Sequence, residues 1–201
     1  MLYAFAMVAA IAAIVTAFVL YFGAARLAGS RAGKLALLLG VVVLPFVAVV
    51  NGAGYAYETS SSTEFCLDCH EMDGHGKSLF LDDPLVLPAM HYQKRLIDRD
   101  HACFQCHTNY AMFGDLRAKA NGLRHVWVHY LGEASDPLEL YDPYPSSNCL
   151  HCHDDARSYL EASGHQAELE AISAGEKSCL ECHSSGHALP QLEEGSFWIP
   201  E

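Results

Sequence analysis

The chain has 201 residues, with 24 acidic and 12 basic side chains and a formal net charge of −12. Every acidic residue lies at or after Glu58, and residues 1–57 carry only three charged side chains, all basic. A strongly acidic domain lacks the basic surface that nucleic-acid binding requires, so we expect no nucleic-acid partner. The uneven distribution also excludes an ordinary cytosolic globular enzyme.

Two apolar runs in residues 1–57 predict a membrane hairpin. Leu2–Ala25 is uncharged over 24 residues, and a helix of that length spans about 36 Å, more than a bilayer core of about 30 Å. A second run extends from Leu35 to about Tyr57 and contains Pro45, a predicted kink. Small residues that would allow close helix contact occur at Gly40, Gly52 and Gly54. We therefore predict two transmembrane helices in residues 1–57, followed by a separate domain, residues 58–201.

The basic residues predict the orientation of this hairpin. No basic residue precedes the first run, and the run is longer than the apolar part of a typical signal peptide, so we expect an uncleaved helix. Arg26, Arg31 and Lys34 fall in a predicted loop of about nine residues, which the positive-inside rule places in the cytoplasm. Both termini and the acidic domain would then lie on the outer, periplasmic face of the cytoplasmic membrane. Since two helices exceed what an anchor needs, we expect the first to contact a membrane partner subunit.

All eight cysteines belong to four copies of the pattern Cys-x-x-Cys-His, called here motifs one to four in chain order. In this pattern the two thiols form thioethers with a haem edge, and the adjacent His supplies an axial nitrogen to the iron. Disulfides or four-thiolate zinc sites would not explain a His after every second Cys. We therefore predict four covalently bound haems c, attached through the pairs Cys66 and Cys69, Cys103 and Cys106, Cys149 and Cys152, and Cys179 and Cys182.

The second domain is predicted to be mainly α, with short helices and loops packed around the haems. Little protein is available for each haem, so the macrocycles must form much of the core. The clearest helix candidates are Phe113–Gly132 and Ser158–Ala174, and no strand pattern stands out.

Axial ligands on the far side of each haem must come from histidines outside the motif positions. His151 lies inside a Cys-x-x-Cys loop and can hardly reach across its own haem. His75 and His101 lie close to motifs on predicted loops, and we interpret them as structural.

Several segments resemble the NapC/NirT family, including its NrfH branch, of membrane-anchored tetrahaem quinol dehydrogenases. The likeness covers about Glu64 to Pro190. Its most specific pieces are Glu64-Phe65-Cys66 through Cys69-His70-Glu71-Met72, Met90-His91-Tyr92, Ala118-Lys119 through Val126-Trp127 to Leu131-Gly132, and Cys179 through His187-Ala188-Leu189-Pro190.

The resemblance implies the haem ligands. His91 resembles the distal ligand of the fourth haem, and His165 and His187 resemble those of the second and third. The matching proximal ligands would be His107, His153 and His183.

The first haem is implied to differ from the others. Met72 follows His70 by two residues, as in the family branch where a Met replaces the motif His as axial ligand. That ligation, with an open sixth position, would make the first iron distinct from sites with two His ligands. In the alternative interpretation His70 binds the iron and Met72 only packs on the haem.

Lys119 matches a family Lys at the quinol pocket, and His125 stands where the family usually has an Asp. His125 could accept a quinol proton, since an ordinary His titrates near neutrality, or it could bind the first iron. A packing role on an amphipathic helix remains a third interpretation. His129, one turn further on, is expected on the same side. A second departure is the extra first helix, because members of the family usually have a single transmembrane helix.

The resemblance implies oxidation of menaquinol or another quinol from the bilayer, with electrons passed through four haems to an extracytoplasmic reductase or cytochrome. Two alternatives stay open. The chain could be an electron-relay subunit whose membrane partner handles quinol, and binding of His125 to the first iron would favour this. It could instead reduce a small molecule such as nitrite at an open haem, although the sequence shows no set of polar residues that would bind such a substrate.

Overall fold

A computed structural model of the chain describes residues 2–135, 137–184 and 186–199, with side chains from Ile14 onward. The chain divides into two compact units, one ending at Thr59 and the other beginning at Ser60. Within the described residues the secondary structure is helical, apart from a single antiparallel bridge between Leu81 and Phe197. The prediction of a mainly α protein is confirmed.

The first unit contains helices α1 (Leu2–Leu27) and α2 (Arg31–Thr59). Among the described side chains, α2 is the one helix long and apolar enough to cross a membrane, over 29 residues, and the described part of α1 is a shorter apolar helix. The expected loop of about nine residues is wrong, because only residues 28–30 separate the helices. Ser30 ends this turn by accepting a hydrogen bond from the Gly33 N–H at 3.0 Å, which caps α2.

Glycines allow α1 and α2 to approach closely. A Cβ at Gly33 would lie 1.8 Å from the Leu27 carbonyl oxygen, so no larger residue fits there. A Cβ at Gly40 would lie 3.1 Å from a methyl group of Leu20, whereas nothing lies within 4 Å of Gly52 or Gly54. Gly40 is therefore a helix contact, as predicted.

Near the predicted kink, α2 contains a π-helical turn, Leu38–Val43, which ends two residues before Pro45. At its end the Leu44 N–H donates to the Leu39 carbonyl, five residues back. A proline ring clashes with the carbonyl four residues earlier and cannot donate to it. The wider turn accommodates the proline while the helix continues.

The second unit is a chain of short helices joined by turns. In chain order they are α3 (Thr63–Leu67), α4 (Asp73–Ser78), α5 (Leu87–Gln93), α6 (Ala102–His107), α7 (Gly114–Leu131), α8 (Ser146–His153), α9 (Arg157–Leu160), α10 (Ser163–Gln166) and α11 (Leu169–Ser173). Turns of 3-10 helix lie at His70–Met72, Arg99–His101, Cys179–Glu181 and Leu189–Gln191.

Of the two predicted helices in this unit, one is correct and one is wrong. The first is α7, whose first residue must be glycine because a Cβ at Gly114 would lie 1.7 Å from the Asn109 carbonyl oxygen. The second, Ser158–Ala174, is divided into α9, α10 and α11. The carbonyls of Ser158 and Tyr159 accept hydrogen bonds from the His165 side chain. A histidine contact thus competes with a continuous helix.

The protein core of the second unit is small. Its central cluster joins Leu81, Val86 and Ala89 to Ala188 and Leu192 near the C-terminal end. In the part of the chain that the structure describes, buried apolar side chains are limited to Leu79, Leu81, Val86, Ala89, Ala102 and Ile172. Packing between protein side chains therefore supplies little of this unit's apolar burial.

Candidate functional site

Three of the four motifs present their first cysteine and their histidine on one face of a helical turn. Cys103 and His107 lie four residues apart on α6, and motif three has the same arrangement on α8. In motif four the His183 N–H donates to the Cys179 carbonyl at 2.9 Å, which is again a helical turn. Side chains four residues apart on a helix lie above one another. This arrangement suits thioether attachment of a haem above an axial imidazole.

Motif one is built differently. Helix α3 ends at Leu67, and Cys69 takes an extended conformation, with φ −93° and ψ 131°, before the 3-10 turn that begins at His70. The side chain of His70 is 79 % exposed, and its Nε2 lies 3.4 Å from Glu71 Oε1. The motif histidine therefore lies at the surface beside a carboxylate.

All four motifs oppose their histidine to one outside the motifs, and the ring centroids of His70 and His129 are 5.8 Å apart in motif one. In the three helical motifs the ring centroids are 6.1 Å apart for His107 and His187, 6.1 Å for His91 and His153, and 6.0 Å for His165 and His183. Metal–nitrogen bonds of about 2 Å on either side of one iron would put opposed imidazole centroids about 6 Å apart. The donor spacing therefore fits haem iron with two histidine ligands.

The hydrogen bonds of His91 and His165 leave the correct nitrogen available. The Nδ1–H of His91 donates to the Leu87 carbonyl at 2.7 Å. The Nδ1–H of His165 donates to the carbonyls of Ser158 and Tyr159 at 3.2 and 3.1 Å. A carbonyl can only accept, so the proton of each neutral ring is on Nδ1 and the Nε2 lone pair is available to a metal.

His187 is fixed in the same way by a side chain. The Ser78 hydroxyl donates to the His75 carbonyl at 2.6 Å, so it accepts from the Nδ1–H of His187 at 2.7 Å. Burial, and then the neighbouring His107 and His75, lower the pKa of His187 to about 3. The neutral form, which a metal ligand requires, is therefore present at pH 7. Ala188, directly after it, has a left-handed φ of 49°.

These pairs differ from the assignment that the resemblance implies. His91 faces the histidine of motif three, not motif four. His165 faces motif four, and His187 faces motif two. The choice depends on how the loops fold back, which motif spacing does not determine.

Met72 lies on the wall of a cavity that belongs to motif two. The same cavity is lined by Cys103, Cys106, His107 and His187. Motif one adjoins this site, because Cys66 and Cys103 share a side-chain hydrogen bond. Met72 is thus placed between motifs one and two.

A hydroxyl three residues before the first cysteine joins the motifs in pairs. Thr63 donates to the Arg99 carbonyl at 2.7 Å and accepts from the Ala102 N–H at 2.8 Å, which links motif one to motif two. Ser146 donates to the Lys177 carbonyl at 2.9 Å and accepts from the Cys179 N–H at 3.2 Å, which links motif three to motif four. The four motifs thus form two joined pairs.

The paired motifs bring cysteines together. The hydrogen bond to Cys103, and then burial, raise the pKa of the Cys66 thiol. Burial, and then Cys179, raise the pKa of Cys149 to about 12. Both side chains are therefore thiols at neutral pH.

Lys119 is held where α7 meets the segment that follows the membrane helix. Its Nζ donates to Ser60 Oγ at 2.9 Å and to Ser61 Oγ at 2.7 Å, and it lies 4.2 Å above the ring of Phe104. Ser60 directly follows Thr59, the last residue of α2. A cation is therefore fixed next to the point where the chain leaves α2.

His125 lies elsewhere on α7. Six positions at 100° each separate it from Lys119, so the two side chains leave the helix about 120° apart. Tyr141 contacts His125 Nδ1 at 3.1 Å, and Arg124 lies 3.9 Å from the Tyr141 ring centroid. Desolvation, and then the charge of Arg124, lower the pKa of His125. The ring is therefore neutral at pH 7, but it does not share a contact with Lys119.

Helix α7 also carries an exposed apolar stripe. Leu116, Leu123, Trp127 and Tyr130 are exposed and follow one another at helical spacing, so they share one face. Such a face suits the headgroup and acyl-chain boundary of a membrane.

The remaining histidines have contacts of their own. His101 Nδ1 lies 3.0 Å from Asp98, and His151 stacks on Tyr110 with centroids 3.8 Å apart. The sequence analysis did not identify the residues that position the motifs and their histidines. A Thr or Ser three positions before the first cysteine is a recognisable pattern in motifs one and three, whereas no pattern points to Ser78 or Tyr141.

The opposed histidines and cysteine motifs define a multihaem cytochrome c, anchored in the membrane by an apolar helix and acting in electron transfer. Residues 29–192 match the NapC/NirT cytochrome c family, N-terminal region. The chain belongs to this family, and covalently bound haem c follows from that membership.

The curated relatives are longer proteins. The cytochrome c-type protein TorC of Escherichia coli K12 is 22 % identical over 178 residues, and TorC of Escherichia coli O157:H7 gives the same values. The match covers 78 % of this chain and 41 % of each relative, so the chain spans less than half their length. No solved structure matches the chain significantly.

Proposed function

We propose that the protein oxidises a membrane quinol, such as menaquinol, and passes the electrons through four haems c to an extracytoplasmic reductase or cytochrome. Haem, when bound, supplies the one-electron redox chemistry. The residues of this chain bind the quinol, receive its protons and hold the haems in a fixed order.

The opposed histidines support specific ligand sets for three haems. Each would be held by its motif cysteines, by its motif histidine and by a distal imidazole whose Nε2 atom is available. The pairs are His107 with His187 for the second haem, His153 with His91 for the third, and His183 with His165 for the fourth.

For the first haem, held by Cys66 and Cys69, we assign Met72 as axial ligand. The extended backbone at Cys69 breaks the helical turn that carries the histidine in the other three motifs, although His70 still lies 5.8 Å from His129, centroid to centroid. Met72 lines the cavity of motif two, and motif one adjoins that cavity through the contact between Cys66 and Cys103. A thioether ligand raises the potential relative to two histidines.

The position of Lys119 is the observation that carries the quinol assignment. Two serines fix its ammonium group directly after the candidate membrane helix. The exposed apolar stripe of α7 would rest on the bilayer surface, so a quinol leaving the acyl region meets this ammonium. Lys119 then holds a quinol hydroxyl oxygen by a charge-assisted hydrogen bond.

His125 takes up a proton released from the quinol. Its lowered pKa keeps it neutral, as an acceptor must be. Since it lies on a different side of α7 from Lys119, it acts on the route from the quinol to the outer solution, with Tyr141 orienting the ring.

The charges support an outer location for the second unit. Arg26, Arg31 and Lys34 flank the turn between α1 and α2, and the positive-inside rule puts this turn in the cytoplasm. Both helices would then span the membrane, with both termini outside. The acidic second unit would steer an acceptor with a basic surface.

The test is reduction of the full-length holoprotein by a menaquinol analogue, followed at the haem α-band, with dithionite as the full-reduction reference. Lys119→Ala should lower the rate by about 10- to 100-fold, because a hydrogen bond to a charged group contributes about 1.5–3 kcal/mol. Lys94→Ala, which removes an exposed lysine elsewhere, should leave the rate unchanged. Wild-type protein that dithionite reduces and the quinol analogue does not would contradict the proposal.

A second candidate is an electron-relay subunit, and helix α1 favours it. The family match begins at residue 29, so α1 precedes it. An additional helix offers a surface for a membrane partner that oxidises quinol itself. In that case the quinol analogue would reduce the haems in native membranes and not in the purified chain.

A further inference from the structure

The four motifs form two joined pairs, and a separate set of contacts connects one pair to the other. These contacts lie between motif two, on α6, and motif three, on α8. They are made by Tyr110, Tyr144, Asn148 and His151, which are neither proposed haem ligands nor part of the proposed quinol site, and we call them the junction. Electrons that pass from the second haem to the third must cross this boundary.

Two polar side chains from the segment around motif three hold the end of α6. The Tyr144 hydroxyl donates to the Cys106 carbonyl, and the Tyr144 ring lies edge-on to His107, with centroids 6.1 Å apart. Asn148 Nδ2 donates to the Thr108 carbonyl at 2.6 Å and to the Cys106 carbonyl at 3.4 Å. The last carbonyls of a helix have no partner within it, so these contacts satisfy a group that α6 leaves free.

An aromatic stack completes the junction at the surface. The ring centroids of Tyr110 and His151 are 3.8 Å apart, and the rings are inclined by only 6°. The Tyr110 hydroxyl donates to the Gln105 carbonyl at 2.7 Å, which fixes its ring against α6. His151 lies between the two cysteines of motif three. The stack therefore acts directly on the segment that would attach the third haem.

The cysteines show that motifs two and three each face two neighbours. Their first cysteines contact the other member of their own pair. Their second cysteines, Cys106 and Cys152, are instead electrostatic neighbours across the junction. Because both thiols of a motif attach to an edge of the same haem, the junction brings together the attachment segments of the second and third haems.

We propose that the stack of Tyr110 on His151 positions the third haem against the second and thereby sets the rate at which electrons cross between the two haem pairs. The inference rests on the proposed function, in which electrons pass through four haems, and it assigns one internal step to named side chains. Electron transfer slows steeply as the distance between haem edges grows, so a contact that fixes this distance controls the rate. Both are positioning residues, since they act through the motif segments and not on the iron.

The experiment is flash photoreduction of the oxidised holoprotein by a soluble photoreductant, which bypasses the quinol site. Movement of the delivered electron among the haems gives absorbance changes whose rates do not depend on protein concentration. Tyr110→Leu should slow the slowest of these phases by about tenfold, because a misplacement of about 1 Å in a positioned reaction costs up to about 100-fold. Tyr110→Phe, which keeps the ring and loses only the hydroxyl, should retain the wild-type rate.

Two further comparisons separate positioning from a general loss of structure. His151→Ala removes the same stack from the other side, so the double variant with Tyr110→Leu should be no slower than either single variant. Trp198→Leu removes a stack with Phe80 elsewhere in this unit and should leave the rate unchanged. The optical spectra of all the oxidised variants should match the wild type, because no proposed iron ligand is replaced.

A readout independent of electron flow is amide hydrogen exchange, which should become faster in α6 and α8 of Tyr110→Leu than in the wild type. An unchanged internal rate in Tyr110→Leu, a slowed rate in Tyr110→Phe, or losses that multiply in the double variant would each overturn the proposal. Fewer than four haems in the wild type, or no reduction by the quinol analogue, would contradict the proposed function instead, and both are measured separately.

Discussion

Motifs one and two begin from the same five-residue pattern and are joined by the hydroxyl of Thr63, yet they present their histidines differently. Motif two lies on one helix, and His107 faces His187 across a spacing that fits an iron. Motif one leaves the helix at Cys69, and its histidine lies beside Glu71 and faces His129, with ring centroids 5.8 Å apart. The same five-residue pattern therefore takes two backbone conformations, which differ at Cys69, where motif one leaves the helix.

The largest expected effect is on haem ligation, where removing His187 should matter more than removing His70. With His187→Ala, the second iron loses one of its two proposed ligands, so one additional haem should become high-spin and bind carbon monoxide when reduced. With His70→Ala the number of such haems should not change. Carbon monoxide titration of the reduced variants measures this, and equal behaviour of the two variants would remove the distinction between the motifs.

Replacing the thioether of Met72 with an imidazole should make the haem sites of motifs one and two alike. Met72→His should lower the midpoint potential of one haem by on the order of 0.1 V, because axial ligands set haem potentials over about 0.8 V and a methionine ligand raises them. A spectroelectrochemical titration would resolve the component that moves. If all four potentials stay fixed, Met72 is only a packing residue.

Removing the Thr63 hydroxyl should destabilise the contact between motifs one and two. Valine is the suitable replacement because it keeps the side-chain volume. Thr63→Val leaves the buried Ala102 N–H and the Arg99 carbonyl without this partner, at a cost of about 1–3 kcal/mol. In a unit of this size the Tm should fall by roughly 2–4 °C per kcal/mol. Ser173→Ala, at an exposed hydroxyl, is the control for thermal unfolding followed by circular dichroism. Equal Tm values for the two variants would refute a role for the joining hydroxyl.

The smallest expected effect is on the pH dependence of the quinol oxidation rate. Because the pKa of His125 lies below its ordinary value of 6.5, the neutral form persists into mildly acidic solution. The quinol oxidation rate should therefore fall only as the pH drops through a value below 6.5. His125→Asn should remove this acidic limb from the pH–rate profile. A limb that survives the substitution would assign the proton to another group.

Local chemistry made much of the site predictable. The cysteine spacing identifies the attachment points, and Lys119 could be singled out through its resemblance to family sequences. The pairing of His91 with motif three could not be predicted, because it depends on long-range folding of the chain. The division of Ser158–Ala174 has a local cause that the residue pattern does not reveal, since the carbonyls of Ser158 and Tyr159 bond to the His165 side chain.

The small core of the second unit was also anticipated, from the length of chain available to each haem. The helix boundaries around the basic residues were not, because three turn residues suffice when Gly33 permits contact with Leu27. Local steric detail of this kind is invisible to charge patterns.

The contact between Cys66 and Cys103 has a consequence for how the protein is made. Before haem is attached, these two thiols are neighbours from different motifs, and disulfides form readily in the outer compartment proposed for this unit. Folding ahead of attachment therefore brings together two cysteines that must not bond to each other. Maturation must keep them reduced, or load one motif before the other folds against it.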